Sequence, residues 1–199
     1  MDILSLLPYV MSTCIGIGLA AATGFRVFLP FFLVSLASYL NWIPLDTEWT
    51  WLASIPTLVI TGVATLVEIL GYYIPFIDNI LDTINVPLAT VAGSLLFASQ
   101  FTDMSAVPQW ALAIIAGGGT AAVIGSGFAG TRAASSATTG GFGNFIVASI
   151  ETAGSFVMST LAIFAPILAF IIALTILILV IRYSKRIWKK LSHQVITDT

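Results

Sequence analysis

Polar and apolar positions alternate along this chain in blocks far longer than any soluble helix requires. Residues 3–43, 49–77 and 104–181 are almost continuously apolar and contain only four charges: Arg26, Glu68, Arg132 and Glu151. A run of 41 residues would extend about 60 Å as one helix, twice the roughly 30 Å hydrocarbon core of a bilayer. The first block must therefore break, and residues 24–30 supply the place, with Gly24, Arg26 and Pro30 close together. Residues 51–72 predict a clean span, with Pro56 tolerated near its start. Residues 73–85 mix Ile74, Ile80 and Ile84 with Asp78 and Asp82 and predict a short amphipathic helix near the interface. Residues 87–101 are short enough for a half helix or a re-entrant piece. Residues 110–128 are Gly-rich and long enough to span. Residues 130–143 form a polar Gly/Ser/Thr segment, and residues 145–183 exceed one span, with Pro166 as the breaker. The prediction is an all-α integral membrane protein of about six transmembrane or re-entrant helices, with broken helices near 24–30 and 130–143.

Composition agrees with that solvent. The chain has 199 residues, of which 58% are hydrophobic and 8% charged, against about 25% charged in soluble domains. One bundle over residues 1–183 and a basic tail over 184–199 account for the length. The start of the chain has Asp2 and no Lys or Arg through Leu7, which is unlike a removable signal peptide. The single Cys14 allows no internal disulfide and reads as a small packing residue. The net charge is −2, yet five of the seven basic residues (Arg182, Lys185, Arg186, Lys189 and Lys190) follow the last apolar run. The positive-inside rule makes that end cytoplasmic. Trp42, Trp49, Trp51, Trp110 and Trp188 sit near the ends of apolar stretches, as an aromatic belt does. The tail, with Ile187, Trp188 and Leu191 among its lysines, also has the make-up of an interfacial helix, although a topology signal is the simpler reading.

Charges at bilayer depth are costly and usually face a bundle interior or a water-filled cavity. Two arginines and two glutamates neutralise one another, and their spacing suggests a duplication. Gly16, Ala20, Gly24 and Arg26 have the spacing of Ala122, Ser126, Gly130 and Arg132. Each arginine thus follows small residues at intervals of four, a face that admits a neighbouring helix. Residues 65–71 (TLVEILG) and 148–154 (ASIETAG) also match, each with glycine three residues after its glutamate. A glycine near each arginine lets the helix open, and freed N–H groups with guanidinium donors then form an anion site. The expected substrate- or ion-binding residues are Arg26, Glu68, Arg132, Glu151, Gly24, Gly130, Thr131 and Asp78. The alternative for the four charges is purely structural pairing.

Enzyme chemistry is not expected. The one histidine, His193, lies in the tail, which excludes a Ser–His or Cys–His system within the bilayer. No H-E-x-x-H or Cys/His cluster supplies a metal site, and no cofactor is implied. Gly117, Gly118 and Gly119 lack the lysine and preceding strand of a phosphate loop and read as packing glycines. Asp78 and Asp82, one turn apart, read first as a solvated polar face and second, with Glu68, as a divalent-cation site.

Residues 18–30 (GLAAATGFRVFLP), 68–82 (EILGYYIPFIDNILD) and 119–135 (GTAAVIGSGFAGTRAAS), followed by Glu151, resemble an uncharacterised bacterial family of small multi-pass membrane proteins, known as a domain of unknown function. The resemblance covers about residues 15–181. It implies a bacterial inner-membrane location without an activity, and its motif at Glu68, Tyr73, Pro75 and Asp78 adds Asp78 to the site. The pentapeptide 26–30 (RVFLP) is similar to the R-x-F-x-P element of DedA-type membrane proteins. That likeness implies re-entrant helices and recognition of a lipid phosphate by arginine. The second copy, 132–136 (RAASS), lacks the aromatic residue and the proline. The function expected is a transporter or channel-like protein for a small ion or an anionic, phosphate-bearing lipid substrate, with the glutamates handling protons. The rival is a non-transporting membrane scaffold or assembly factor. Membrane lipids and the transported substrate are the partners, nucleic acid is excluded, and a homo-oligomer is left open.

Overall fold

The computed structural model describes residues 3–74, 77–102 and 104–197, with side chains omitted at 3–5, 79 and 187–197. Among the described residues every regular element is helical. These are α1 (Ile3–Phe25), α2 (Phe28–Tyr39), a 3₁₀ turn (Thr47–Ala53), α3 (Ile55–Gly71), α4 (Ile77–Ala98), α5 (Ala106–Leu112), a π-helical stretch (Ala113–Gly118), α6 (Gly119–Thr139), α7 (Asn144–Phe164) and α8 (Pro166–Thr197).

Five helical segments are long and apolar enough to cross a membrane, and a sixth arises if the 3₁₀ turn and α3, bent by 58°, are one broken span. The break expected at 24–30 falls between Phe25 and Phe28, and Pro166 opens α8 immediately after α7. Two expectations are corrected. Residues 73–85 and 87–101 are not an interfacial helix and a separate half helix, because α4 runs from Ile77 through Pro87 to Ala98. Nor do residues 51–72 make one clean span. Ser54, extended and accepting from the Thr57 N–H, caps α3 after the 3₁₀ turn, so the chain bends there.

Helix α1 is the axis of the bundle, packed against α4, α6, α7 and α8. Leu19, Ala20, Ala21, Ala22 and Thr23 are wholly buried, as expected of a helix that is apolar all round and enclosed by others. Small residues allow the close packing. A Cβ on Gly24 would lie 2.7 Å from Ile124 Cβ, and one on Gly117 would lie 2.7 Å from the Gly93 carbonyl of α4. Gly16 and Ala20 belong to this packed row, but its expected counterpart does not pack, since Ser126 and Gly130 of α6 are exposed. Outward-facing apolar side chains such as Ile60, Val67, Ile115 and Phe164 form the lipid-facing surface expected of membrane helices. Cys14 is buried and free.

Side-chain contacts identify the two ends of the bundle. At one end Trp42 meets Phe164 and Trp49 meets Trp110, in keeping with an aromatic belt. At the other end Tyr73 stacks on Phe145 and its hydroxyl bonds that of Ser149, while Asn144 donates to Asp78. Arg182, Lys185 and Arg186 are exposed on α8, which continues across the expected boundary at residue 183 without a break. The contacts expected of Trp188, Lys189, Lys190 and Leu191, and those of Asp2, Pro75 and Asp103, lie outside the described side chains.

Candidate functional site

The chain break after α1 places Arg26 inside the bundle, where its side chain is fully buried. Its Nε donates to Thr152 Oγ1 at 3.1 Å and its Nη2 to the Ala148 carbonyl at 2.9 Å. Both partners lie on α7, one turn apart, and Glu151 lies between them in sequence. Glu151 Oε2 is 3.6 Å from Arg26 Nη2. From α6, Arg132 Nη2 donates to both oxygens of the same carboxylate at 2.6 Å. Glu151 is therefore shared by two guanidiniums, with no exposed surface of its own. A third element completes the charge: Arg132 Nη1 lies 2.9 Å from Asp82 Oδ1 on α4, an ion pair without hydrogen-bond alignment. Asp82 remains partly exposed, at 21%.

Tyr72, just past α3, separates the two cations. The guanidinium carbons of Arg26 and Arg132 each lie 4.0 Å from the centroid of its ring. Its negative π-faces thus meet positive charge on both sides, and the ring stands where the two arginines would otherwise repel. The Tyr72 hydroxyl, Arg26 Nη1 and Arg132 Nε are buried without hydrogen-bond partners.

Glu68 belongs to the same region but has a different task. Its Oε1 accepts from the Val27 N–H at 2.8 Å and its Oε2 from the Phe28 N–H at 3.0 Å. Val27 and Phe28 open α2, so the carboxylate from α3 satisfies the unpaired amides of a helix start and faces the positive end of its dipole. The nearest ion pairs of both arginines go to other carboxylates, and the expectation of two Arg–Glu pairs gives way to one glutamate shared by two arginines plus one helix-capping glutamate.

The remaining sequence-derived positions divide. Gly24 lies at the centre, but as a close-packing position within α1 and not as the point of opening. Gly130 faces open space in the middle of α6, and Thr131 is exposed with its hydroxyl bonded to the Gly127 carbonyl of its own helix. Both are thus corrected out of the centre. α6 is continuous to Thr139, and its break comes at Gly140, which adopts a left-handed conformation with φ 62°. Asp78 is buried and accepts from Asn144 Nδ2, which also donates to Ser136 Oγ. Asp78 and Asp82 therefore do not form a solvated polar face. Among the described residues no group of three or more His, Cys, Asp or Glu has the arrangement to hold a metal.

Two participants escaped the sequence reading. Tyr72 carried no signal beyond its place next to the Glu68 motif. Asp82 was visible four residues from Asp78, but its partner on α6 was not.

Residues 13–186 match DUF4126, a domain of unknown function. The chain belongs to that family. The match spans the whole charged centre and the helices that build it, α1 from residue 13 onward, in accord with the resemblance carried by residues 18–30, 68–82 and 119–135. No curated protein and no solved structure matches the chain. Similarity to DedA-type proteins is not shown, and the likeness at residues 26–30 supplies no function.

Proposed function

We propose that this DUF4126 protein is a transporter or channel-like protein for a small ion or an anionic substrate, working through the Arg26–Tyr72–Arg132–Glu151 centre. The observation that carries the reading is a continuous charged ladder. It leads from the partly exposed Asp82 through Arg132 to the fully enclosed Glu151 and on to Arg26. Intramembrane ionisable residues arranged in this way commonly mark pathways. The partnerless donors Arg26 Nη1 and Arg132 Nε support the same reading, since a fixed structural pair leaves few buried donors unpaired and an anion or water accepts from them directly. Glu151 is the group for a coupling proton, because protonating it would remove the ion pair of Arg26 and leave Arg132 with Asp82 alone, opening both to an anionic substrate. The positive-inside rule, applied to the basic residues of α8, supports a cytoplasmic side for that end of the bundle, and the membrane proposed is a bacterial inner membrane.

A scaffold or assembly role is favoured by a different observation, the occupation of both Glu68 oxygens by backbone amides. Arg26→Gln separates the two readings. In proteoliposomes loaded with phosphate, chloride or a pH dye, transport requires a flux that the folded variant loses. If no flux of any of these is seen with the wild-type chain and the variant fails to fold, the scaffold reading takes its place.

A further inference from the structure

Two crevices open sideways from the bundle between α2, α3 and α4, and the smaller shares Tyr72 with the arginine centre. The smaller, about 140 Å³, has Glu68, Tyr72 and Asn85 among otherwise apolar walls. The larger, about 320 Å³, is apolar and reaches Trp51 and Thr57. They share Val27, Phe28 and Leu88 and so form one groove with a polar end and an apolar end. From Glu68 to Thr57 is eleven residues of α3, about 16 Å at 1.5 Å per residue, close to half of the roughly 30 Å hydrocarbon thickness. The groove therefore has the length of one lipid leaflet, with its polar end at the C-terminal end of α3.

The chemistry of the polar end selects the head. No Arg or Lys lines either crevice, while the Glu68 carboxylate has two oxygens, each using one lone pair on a backbone amide. The Tyr72 side chain is 97% enclosed (3% exposed), and its hydroxyl has no partner. A negatively charged head would meet the Glu68 carboxylate with no basic side chain lining the crevice to receive it. A head that donates hydrogen bonds, an ammonium or a hydroxyl, would be accepted by Glu68 and would give the Tyr72 hydroxyl its missing contact.

We infer that this groove is a binding site for a single lipid chain whose head donates hydrogen bonds and carries no negative charge, the head at Glu68, Tyr72 and Asn85 and the chain along α2 toward Trp51. The site shares Tyr72 with the proposed transport centre but takes its head-group acceptor from Glu68, whose hydrogen bonds go to the start of α2, and it stands whether or not the protein transports anything.

Trp51 lines the chain end and reports on occupancy. The purified full chain in micelles is titrated at neutral pH with chain-brominated octadecylamine, octadecanol and stearate. The bromine quenching of Trp51 is taken as the difference from a Trp51→Phe control. The amine and the alcohol are expected to quench saturably at concentrations at least tenfold below stearate. Ala64→Phe, which fills the smaller crevice, should remove the saturable component. Glu68→Gln should bring amine and stearate within about threefold of each other. Should Glu68→Gln fail to fold because α2 loses its cap, Ala64→Phe and the head-group series still decide the matter. Equal quenching by stearate in the wild-type chain, or saturable quenching that survives Ala64→Phe, overturns the site.

Discussion

Replacing Glu151 with glutamine is the most direct challenge to the charged centre. The substitution keeps shape and removes one negative charge from a side chain with no exposed surface, on which Arg132 makes two 2.6 Å hydrogen bonds and Arg26 an ion pair at 3.6 Å. Arg132 would keep Asp82, while Arg26 would retain only the Ala148 carbonyl, the Thr152 hydroxyl and the Tyr72 ring. Breaking a buried pair by removing one partner costs about 3–5 kcal/mol, whereas replacing the whole pair with apolar residues is often neutral. A neutral interhelical hydrogen bond in a membrane protein contributes only about 0.6 kcal/mol on average, so the two kinds of interaction are distinguishable. The expected loss for Glu151→Gln is about 3 kcal/mol or more. The triple variant Arg26→Met, Arg132→Met, Glu151→Leu should lose much less than the sum of its single changes. Reversible unfolding in mixed micelles, followed by far-ultraviolet circular dichroism, measures both. A Glu151→Gln protein within about 1 kcal/mol of wild type, comparable to losing one neutral hydrogen bond, would refute the ion-pair account of this centre.

Other outcomes follow from the same geometry. Tyr72→Phe keeps both cation–π contacts and removes a hydroxyl without a partner, so stability should hold or rise slightly, whereas Tyr72→Leu should lose about 1–4 kcal/mol for two contacts at roughly 0.5–2 kcal/mol each; thermal melts of the two variants check this. Gly24→Val drives a side chain into Ile124 and should destabilise by more than the 1–3 kcal/mol typical of overpacking, while Gly130→Ala meets open space and gains up to about 1 kcal/mol from helix propensity. If Gly130→Ala instead abolished both folding and flux, the opening of α6 at that point would return as a requirement. In a Cys14→Ser background, an impermeant maleimide should label Lys185→Cys and Asn41→Cys from opposite faces of the membrane, because these exposed positions lie at opposite ends of the bundle.

The breaks at residues 24–30 and at Pro166 were legible because a run longer than the bilayer must fold back, and glycine, proline or charge marks the place. The burial of Arg26, Glu68, Arg132 and Glu151 was legible for the same reason: an isolated charge in an apolar run has nowhere to go except inward. Their pairing was not. Glu68 and Glu151 have similar sequence neighbours, yet one receives guanidiniums and the other receives the start of α2, a difference set by which helix end arrives nearby. The row Ala122, Ser126, Gly130 imitates Gly16, Ala20, Gly24 in spacing, but only the α1 row is enclosed on all sides. Small residues permit close approach without specifying a neighbour. Asp82 appeared to be solvated because the window 73–85 cuts across α4, the continuous helix Ile77–Ala98 that carries it to Arg132.

The π-helical stretch Ala113–Gly118 lets α5 and α6 act as one 34-residue segment without being in phase. Its wider turn holds an additional residue, so deleting one amino acid there would restore ordinary winding and leave residues 106–112 facing nearly as they do now, whereas a deletion within the regular turns of α6 would swing them by roughly 100°. Gln109 would stay near the Ala98 carbonyl and Trp110 near Trp49, and Arg132 would keep its place. That short stretch is a length buffer, which lets the segment gain or lose one residue while the belt-side half and the half that carries the guanidinium both keep their facings.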